Sequence, residues 1–239
     1  MTAPGTPLPL LAVAHGTRDP AGMAAIEGLL ARVAALRPGL PVRLGCVDVA
    51  RPSLAEALAG LSGAVVVVPL LLGDGYHVRV DIPRALAAAP RVRARVAPAL
   101  GPDPLLAEAL AGRLAEAEPR GGGGPVVLAA AGSTEPAANA ATESMAGLLS
   151  ARLGRPAVAA YLCGGSPTPA EAVSALRAGG HRQVAVARYL LGPGFFARHA
   201  ARAGGSVISE PLGAHEAVAR LVLRRYDRAA ARPPHSVAA

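Results

Sequence analysis

Three polar side chains stand where apolar runs end. His15 lies in Ala14-His15-Gly16 after the run from Leu8 to Ala14, Asp48 falls at the end of the run from Val42 to Val49, and His77 lies in Gly75-Tyr76-His77-Val78. A neutral imidazole can ligate a metal or accept a proton near neutral pH, and a carboxylate can balance the charge of an ion. Two imidazoles and one carboxylate suit Fe²⁺, Co²⁺, Ni²⁺ or Zn²⁺ and do not choose among them. A lone histidine after a strand is more often a loop or capping residue, so the weight rests on joint placement. A strand-end aspartate commonly caps the next segment, which sets Asp48 below the histidines. Asp81 reads as a helix N-cap, with orientation of His77 as the lesser reading, and ranks below Asp48. His181, His199, His215 and His235 lack such framing and read as surface residues, His215 near a helix start and His235 in a Pro-rich tail. Cys46 and Cys163 are far apart and outside any C-x-x-C pattern, so they read as small buried residues and not as a cluster, zinc knuckle or disulfide framework.

The elements that must position these groups follow from periodicity. Leu8 to Ala14, Val42 to Val49, Ala64 to Pro69 and Val92 to Ala97 read as buried strands. Helices are expected over Met23 to Leu36, from Ser53 with Glu56 three residues on as a capping box, after Asp81, and from Asp103-Pro104. Strand alternating with helix predicts a parallel sheet covered on both faces. In such sheets ligands bind outside the carboxyl ends of the strands, so His15, Asp48 and His77 are expected at one edge.

Glu118 to Pro125 is Gly- and Pro-rich and falls mid-chain, which predicts domains at 1–118 and 126–239 joined by a linker at 119–125. The second half replays the first: strands at Val126 to Ala131, Ala157 to Leu162 and Val184 to Tyr189, with helices at Pro136 to Leu153 and after Thr168. Pro52-Ser-Leu-Ala-Glu-Ala57 matches Pro167-Thr-Pro-Ala-Glu-Ala172, and Leu71-Leu-Gly-Asp-Gly75 matches Leu190-Leu-Gly-Pro-Gly194, as a duplication predicts. In that alignment His15 meets Ala131, Asp48 meets Cys163 and His77 meets Phe196. The first half reads as active and the second as structural.

With 239 residues, half of them apolar, a large core is assured. The formal charge of +8 is carried almost wholly by Arg, which favours an anionic partner. Trp is absent and Phe and Tyr are few, which counts against single-stranded nucleic acid. No apolar run approaches the roughly 20 residues of a membrane span, and Met1 to Pro7 lacks the features of a secretory signal, so a cytoplasmic protein without membrane partners is expected.

Ala14-His-Gly-Thr-Arg-Asp-Pro20, Val47-Asp-Val-Ala-Arg-Pro-Ser53 and Val68-Pro-Leu-Leu-Leu-Gly-Asp-Gly-Tyr-His-Val-Arg-Val-Asp-Ile-Pro83 together resemble the three signatures of the CbiX/SirB class II chelatases. The resemblance is strong over residues 8 to 84 and weaker beyond 125. It implies two tandem chelatase-like, flavodoxin-like three-layer αβα domains with parallel sheets, and His15 and His77 as the metal-binding and proton-accepting pair, without assigning which is ligand and which is base. Asp48 stands where the family more usually has Glu. The implied reaction inserts a divalent metal, Fe²⁺ first and Co²⁺ as the alternative, into sirohydrochlorin, with the metal as substrate and no organic cofactor. Arg18, Arg51, Arg79 and Arg84 lie beside the motifs and are candidates to grip substrate carboxylates. A non-catalytic metal or tetrapyrrole carrier is the alternative of another class. A histidine phosphatase is disfavoured because Ala14 stands where its Arg-His-Gly signature needs Arg. Monomer and homodimer remain open.

Overall fold

The structure is a computed structural model that describes residues 7–118 and 122–231. Residues 119–121 of the expected linker, the segment before Pro7 and His235 lie outside the described residues. The first half runs β1 (Leu10–Ala14), α1 (Pro20–Leu36), β2 (Val42–Cys46), α2 (Leu54–Ala59), β3 (Gly63–Pro69), a π-helical turn (His77–Asp81), α3 (Ile82–Ala87), β4 (Val92–Val96) and α4 (Pro104–Ala117). The second runs β5 (Val126–Ala130), α5 (Pro136–Leu153), β6 (Ala157–Tyr161), α6 (Pro169–Ala178), β7 (Ala185–Tyr189), α7 (Phe195–Ala200), β8 (Val207–Ile208) and α8 (Glu216–Ala230).

Each half holds a four-stranded parallel sheet, in the orders β2-β1-β3-β4 and β6-β5-β7-β8. β1 and β5 are buried along their whole length, as strands covered on both faces must be, and their sequences are correspondingly apolar throughout. Local chemistry sets the helix starts. The Asp19 carboxylate accepts from Ala21 N–H at the head of α1, and Ser53 with Glu56 and Thr168 with Glu171 form matching capping boxes on α2 and α6. The duplication holds down to backbone hydrogen bonds. Asp48 N–H donates to His15 C=O at 2.9 Å, and Cys163 N–H donates to Ala131 C=O at 2.9 Å. The expected α/β class with two related parallel-sheet halves is what the chain adopts.

Four details depart from expectation. β2 ends at Cys46, so Asp48 sits in the turn beyond the strand. Asp81 makes no side-chain cap to α3, which grows directly out of the π-helical turn. Cys163 is exposed, while Cys46 is buried as expected. α7, β8 and the full extent of α8 add to the second half.

The last helix of each half packs on the other half. α4 lies against α5 and β7, α8 lies against α1, β3 and β4, and the two helices pack against each other. One apolar core therefore runs through both sheets, including Leu10 and Val66 of the first, Leu128 of the second, and Leu106, Leu110 and Leu221 from the exchanged helices. Each of those buried leucines contributes about 1.5–3 kcal/mol relative to exposure. Arg225 of α8 anchors the exchange: its guanidinium is buried, donates to the C=O of Ala99 at 3.0 Å and Leu100 at 2.9 Å, and lies 3.3 Å from the buried Asp103 carboxylate. Among the described residues, no helix is long and apolar enough to cross a membrane.

Candidate metal and macrocycle site

The carboxyl edges of the two sheets share one cleft of about 850 Å³, lined by the segments that follow β1, β2 and β3 and by their counterparts after β5, β6 and β7. In the first sheet, the chain leaves β1 toward β2 on one side and returns through β3 on the other, so the β1 and β3 loops part at the switch point where a crevice opens. His15 stands on the first of those loops and His77 follows the second. Their rings meet edge to face, with centroids 4.7 Å apart. The pairing expected from sequence is therefore present in three dimensions.

Hydrogen bonding fixes what each ring can offer. His15 Nδ1 lies 3.1 Å from Gly16 C=O, which can only accept, so Nδ1 carries the proton and Nε2 keeps its lone pair. His77 Nδ1 lies 2.6 Å from the Asp81 carboxylate and is assigned in the same way. Both rings thus have Nε2 available as a metal ligand or base. Asp81 is the acid that orients an imidazole, the reading ranked lower from sequence. The π-helical turn carries residues four apart in sequence onto one face, and that local geometry brings Asp81 to His77.

Asp48 lines the cleft, but its carboxylate accepts from Val49 N–H at 2.8 Å. Among the described residues, no three His, Cys, Asp or Glu side chains gather into a metal-holding group, and the carboxylate that bonds one of the paired imidazoles is that of Asp81. Gly16 makes the close turn possible: its φ is +91°, and a Cβ there would come within 2.3 Å of Asp48 C=O. Gly132 repeats the arrangement at φ +86°, although its neighbours Ala131 and Cys163 are not imidazole and carboxylate. The glycine is architectural, whereas the histidine is not.

The arginines divide. Arg18 lines the cleft and is exposed. Arg51 pairs with Glu56 of its own half, and Arg79 pairs with Glu135 across the halves. Arg84 is exposed on α3 and does not line the cleft. Arg198 does line it and, unmarked in sequence, bonds the Asp19 carboxylate at 2.5 Å, which holds that carboxyl below its ordinary pKa. Tyr189 adds a further tie between the halves, its buried hydroxyl donating to Leu72 C=O at 3.1 Å, and burial pushes its pKa well up, so it stays a donor. Its strand-end position was visible in sequence, its reach across the halves was not. Of the remaining histidines, His181 and His199 are exposed. His215 is half-buried and caps α8 by accepting from Ala217 N–H at 3.1 Å; burial, then Arg113, pushes its pKa down.

Two parallel α/β halves closing on one cleft, with the cleft-lining imidazoles confined to the first, define a tandem chelatase-like protein. The profile of the CbiX family matches residues 9–117 and 125–229, and the chain belongs to that family. The solved structure of SirB from Bacillus subtilis with Fe³⁺ shares the fold at a TM-score of 0.79 and 22% identity, over 94% of this chain and 96% of that one. A solved CbiX, described as the terminal enzyme for siroheme biosynthesis in denitrifying bacteria, aligns at a TM-score of 0.69 and 26% identity, covering 92% and 98%. A sirohydrochlorin cobaltochelatase of Methanosarcina barkeri is 32% identical over 84 residues, 34% of this chain and 65% of the relative. The matched stretch thus spans just under two thirds of the length of that curated relative.

Proposed function

We propose that this protein is a sirohydrochlorin chelatase, inserting a divalent metal, with Fe²⁺ as the leading substrate, to make siroheme. The observation that carries this reading is the His15–His77 pair, 4.7 Å between ring centroids, at the rim of a cleft large enough for a macrocycle. Metal insertion needs loss of two pyrrole protons and exchange of metal-bound water for ring nitrogens. Two neutral imidazoles with Nε2 free supply a ligand and a base side by side, and the Asp81 carboxylate stabilises the charge that His77 gains when it takes a proton. Arg18 is placed to meet a substrate carboxylate at the cleft, and Asp48 supports the loop on which that wall depends. The family resemblance and the relatives named as chelatases support the same reaction class. The name of the Methanosarcina relative supports a second reading, Co²⁺ insertion, because imidazole nitrogen accepts either ion.

An absorbance assay with sirohydrochlorin, supplying Fe²⁺ and Co²⁺ in turn against metal-only and enzyme-free controls, tests the proposal. Catalytic conversion of excess macrocycle with either ion is the expected result, and the faster ion identifies the preferred metal. Stoichiometric binding without turnover would make the protein a carrier.

A further inference from the structure

Among the described residues, the three most exposed large apolar side chains are Phe195 at 70%, Tyr76 at 59% and Val49 at 49%, and all three line the cleft. They arrive on three separate segments, Val49 after β2, Tyr76 before the π-helical turn and Phe195 at the head of α7, so sequence proximity does not explain their convergence. Exposed apolar groups gathered at a cavity mark a surface that meets an apolar partner. Val49 adds a second observation: its φ is +37°, in a region that a β-branched side chain adopts only under strain, and it is the one described non-glycine residue with positive φ. The Asp48 carboxylate bonded to its N–H helps hold it there.

The arginines point the same way. Of the four that flank the motifs, Arg51 and Arg79 are engaged by Glu56 and Glu135, and Arg84 lies outside the cleft lining, which leaves Arg18 alone of the four to meet acids at the ring edge. A hydrated ion gains nothing from exposed Phe, Tyr and Val. A flat ring system does, because its faces are apolar whatever acids decorate its edge, and aromatic side chains bring large contact area at defined geometry.

We infer that Phe195, Tyr76 and Val49 form an apolar clamp that grips the flat surface of a planar tetrapyrrole between the two halves, with Phe195 as the contribution of the second half. This rests on the chelatase reading. The half that brings no imidazole to the cleft thereby gains a role in binding, since the repeat carries the Phe195-Phe196 pair, ring centroids 5.5 Å apart, where the first half carries Tyr76-His77. Affinity for the macrocycle then comes mainly from apolar contact and only secondarily from charge.

The test compares wild type, Phe195→Ala and Phe195→Trp, measuring the Kd of metal-free sirohydrochlorin by absorbance titration, KM and kcat for metal insertion, and the Kd of Co²⁺ alone. Phe195→Ala is expected to raise the macrocycle Kd and KM about tenfold. It should move kcat far less and leave Co²⁺ binding alone, while Phe195→Trp restores macrocycle affinity. Raising ionic strength from about 0.1 M to about 1 M should change the wild-type macrocycle Kd less than the Ala substitution does. Unchanged macrocycle affinity in Phe195→Ala, or affinity governed by salt, overturns the clamp and leaves the chelatase reading standing. A wild-type dimer that Phe195→Ala dissociates without loss of macrocycle affinity overturns it too, making the patch a contact between copies. Failure of wild type to bind the macrocycle at all removes the chelatase reading and the clamp together.

Discussion

Asp81 decides what His77 can do. A carboxylate 2.6 Å from Nδ1 fixes the ring's orientation and leaves Nε2 bare toward the cleft chemistry. Asp81→Ala is expected to slow metal insertion about 10–100-fold with little loss of stability, because such supporting partners typically act on the ligand they orient. Asp48→Ala should slow the reaction less, since its carboxylate serves the Val49 amide. Steady-state rates of the two variants check this order, and a silent Asp81→Ala beside an inactive Asp48→Ala would reverse it. His15 and His77 were legible in sequence because each follows a buried strand of a recognisable parallel α/β unit. The Asp81 contact was not, because an Asp before Ile-Pro reads as a helix cap and a π-helical turn leaves no periodic signature in five residues. Exposure of Phe195 was equally hidden, since an aromatic pair in sequence looks like core.

Elements bring these residues together through short loops and cross-half ties. Sequence showed the strands and most helices, because apolar runs, capping boxes and Asp-Pro starts are local signals. α7 was missed: six residues after Gly-Pro-Gly carry too little periodicity. The short β8 lacks it for the same reason. Asp19 both caps α1 and receives Arg198 from α7, joining the β1 loop to the second half beside the cleft. Because pairing with Arg198 lowers the carboxyl pKa in the folded chain, the stability it adds is complete above the unfolded value of 3.8 and is lost as pH falls through the lowered one. The stability difference between wild type and Arg198→Ala, measured by urea unfolding, should therefore be level near neutral pH and shrink in acid below that value. A difference that persists unchanged at the acid end would show that Arg198 acts through packing and not through Asp19.

At the scale of the whole molecule, the exchange of α4 and α8 makes the two halves depend on each other. The repeat in the sequence suggests two beads on a string, and no local signal says that each half's last helix crosses over; that is settled by long-range packing. Arg225→Ala leaves the C=O groups of Ala99 and Leu100 without their buried donors while Arg224 still pairs with Asp103, and should cost about 1–3 kcal/mol, seen as a lower urea midpoint in one transition common to both halves. Independent unfolding of the halves would contradict a shared core. That core joins the two walls of the cleft, which is what the proposed chelatase reading asks of halves that act together on one ring. The most direct test is single-turnover metal insertion into sirohydrochlorin by wild type, His15→Ala and His77→Ala, each first shown to keep the wild-type melting temperature. Loss of insertion in both variants is the expected result; wild-type rates in both would contradict the paired-imidazole site.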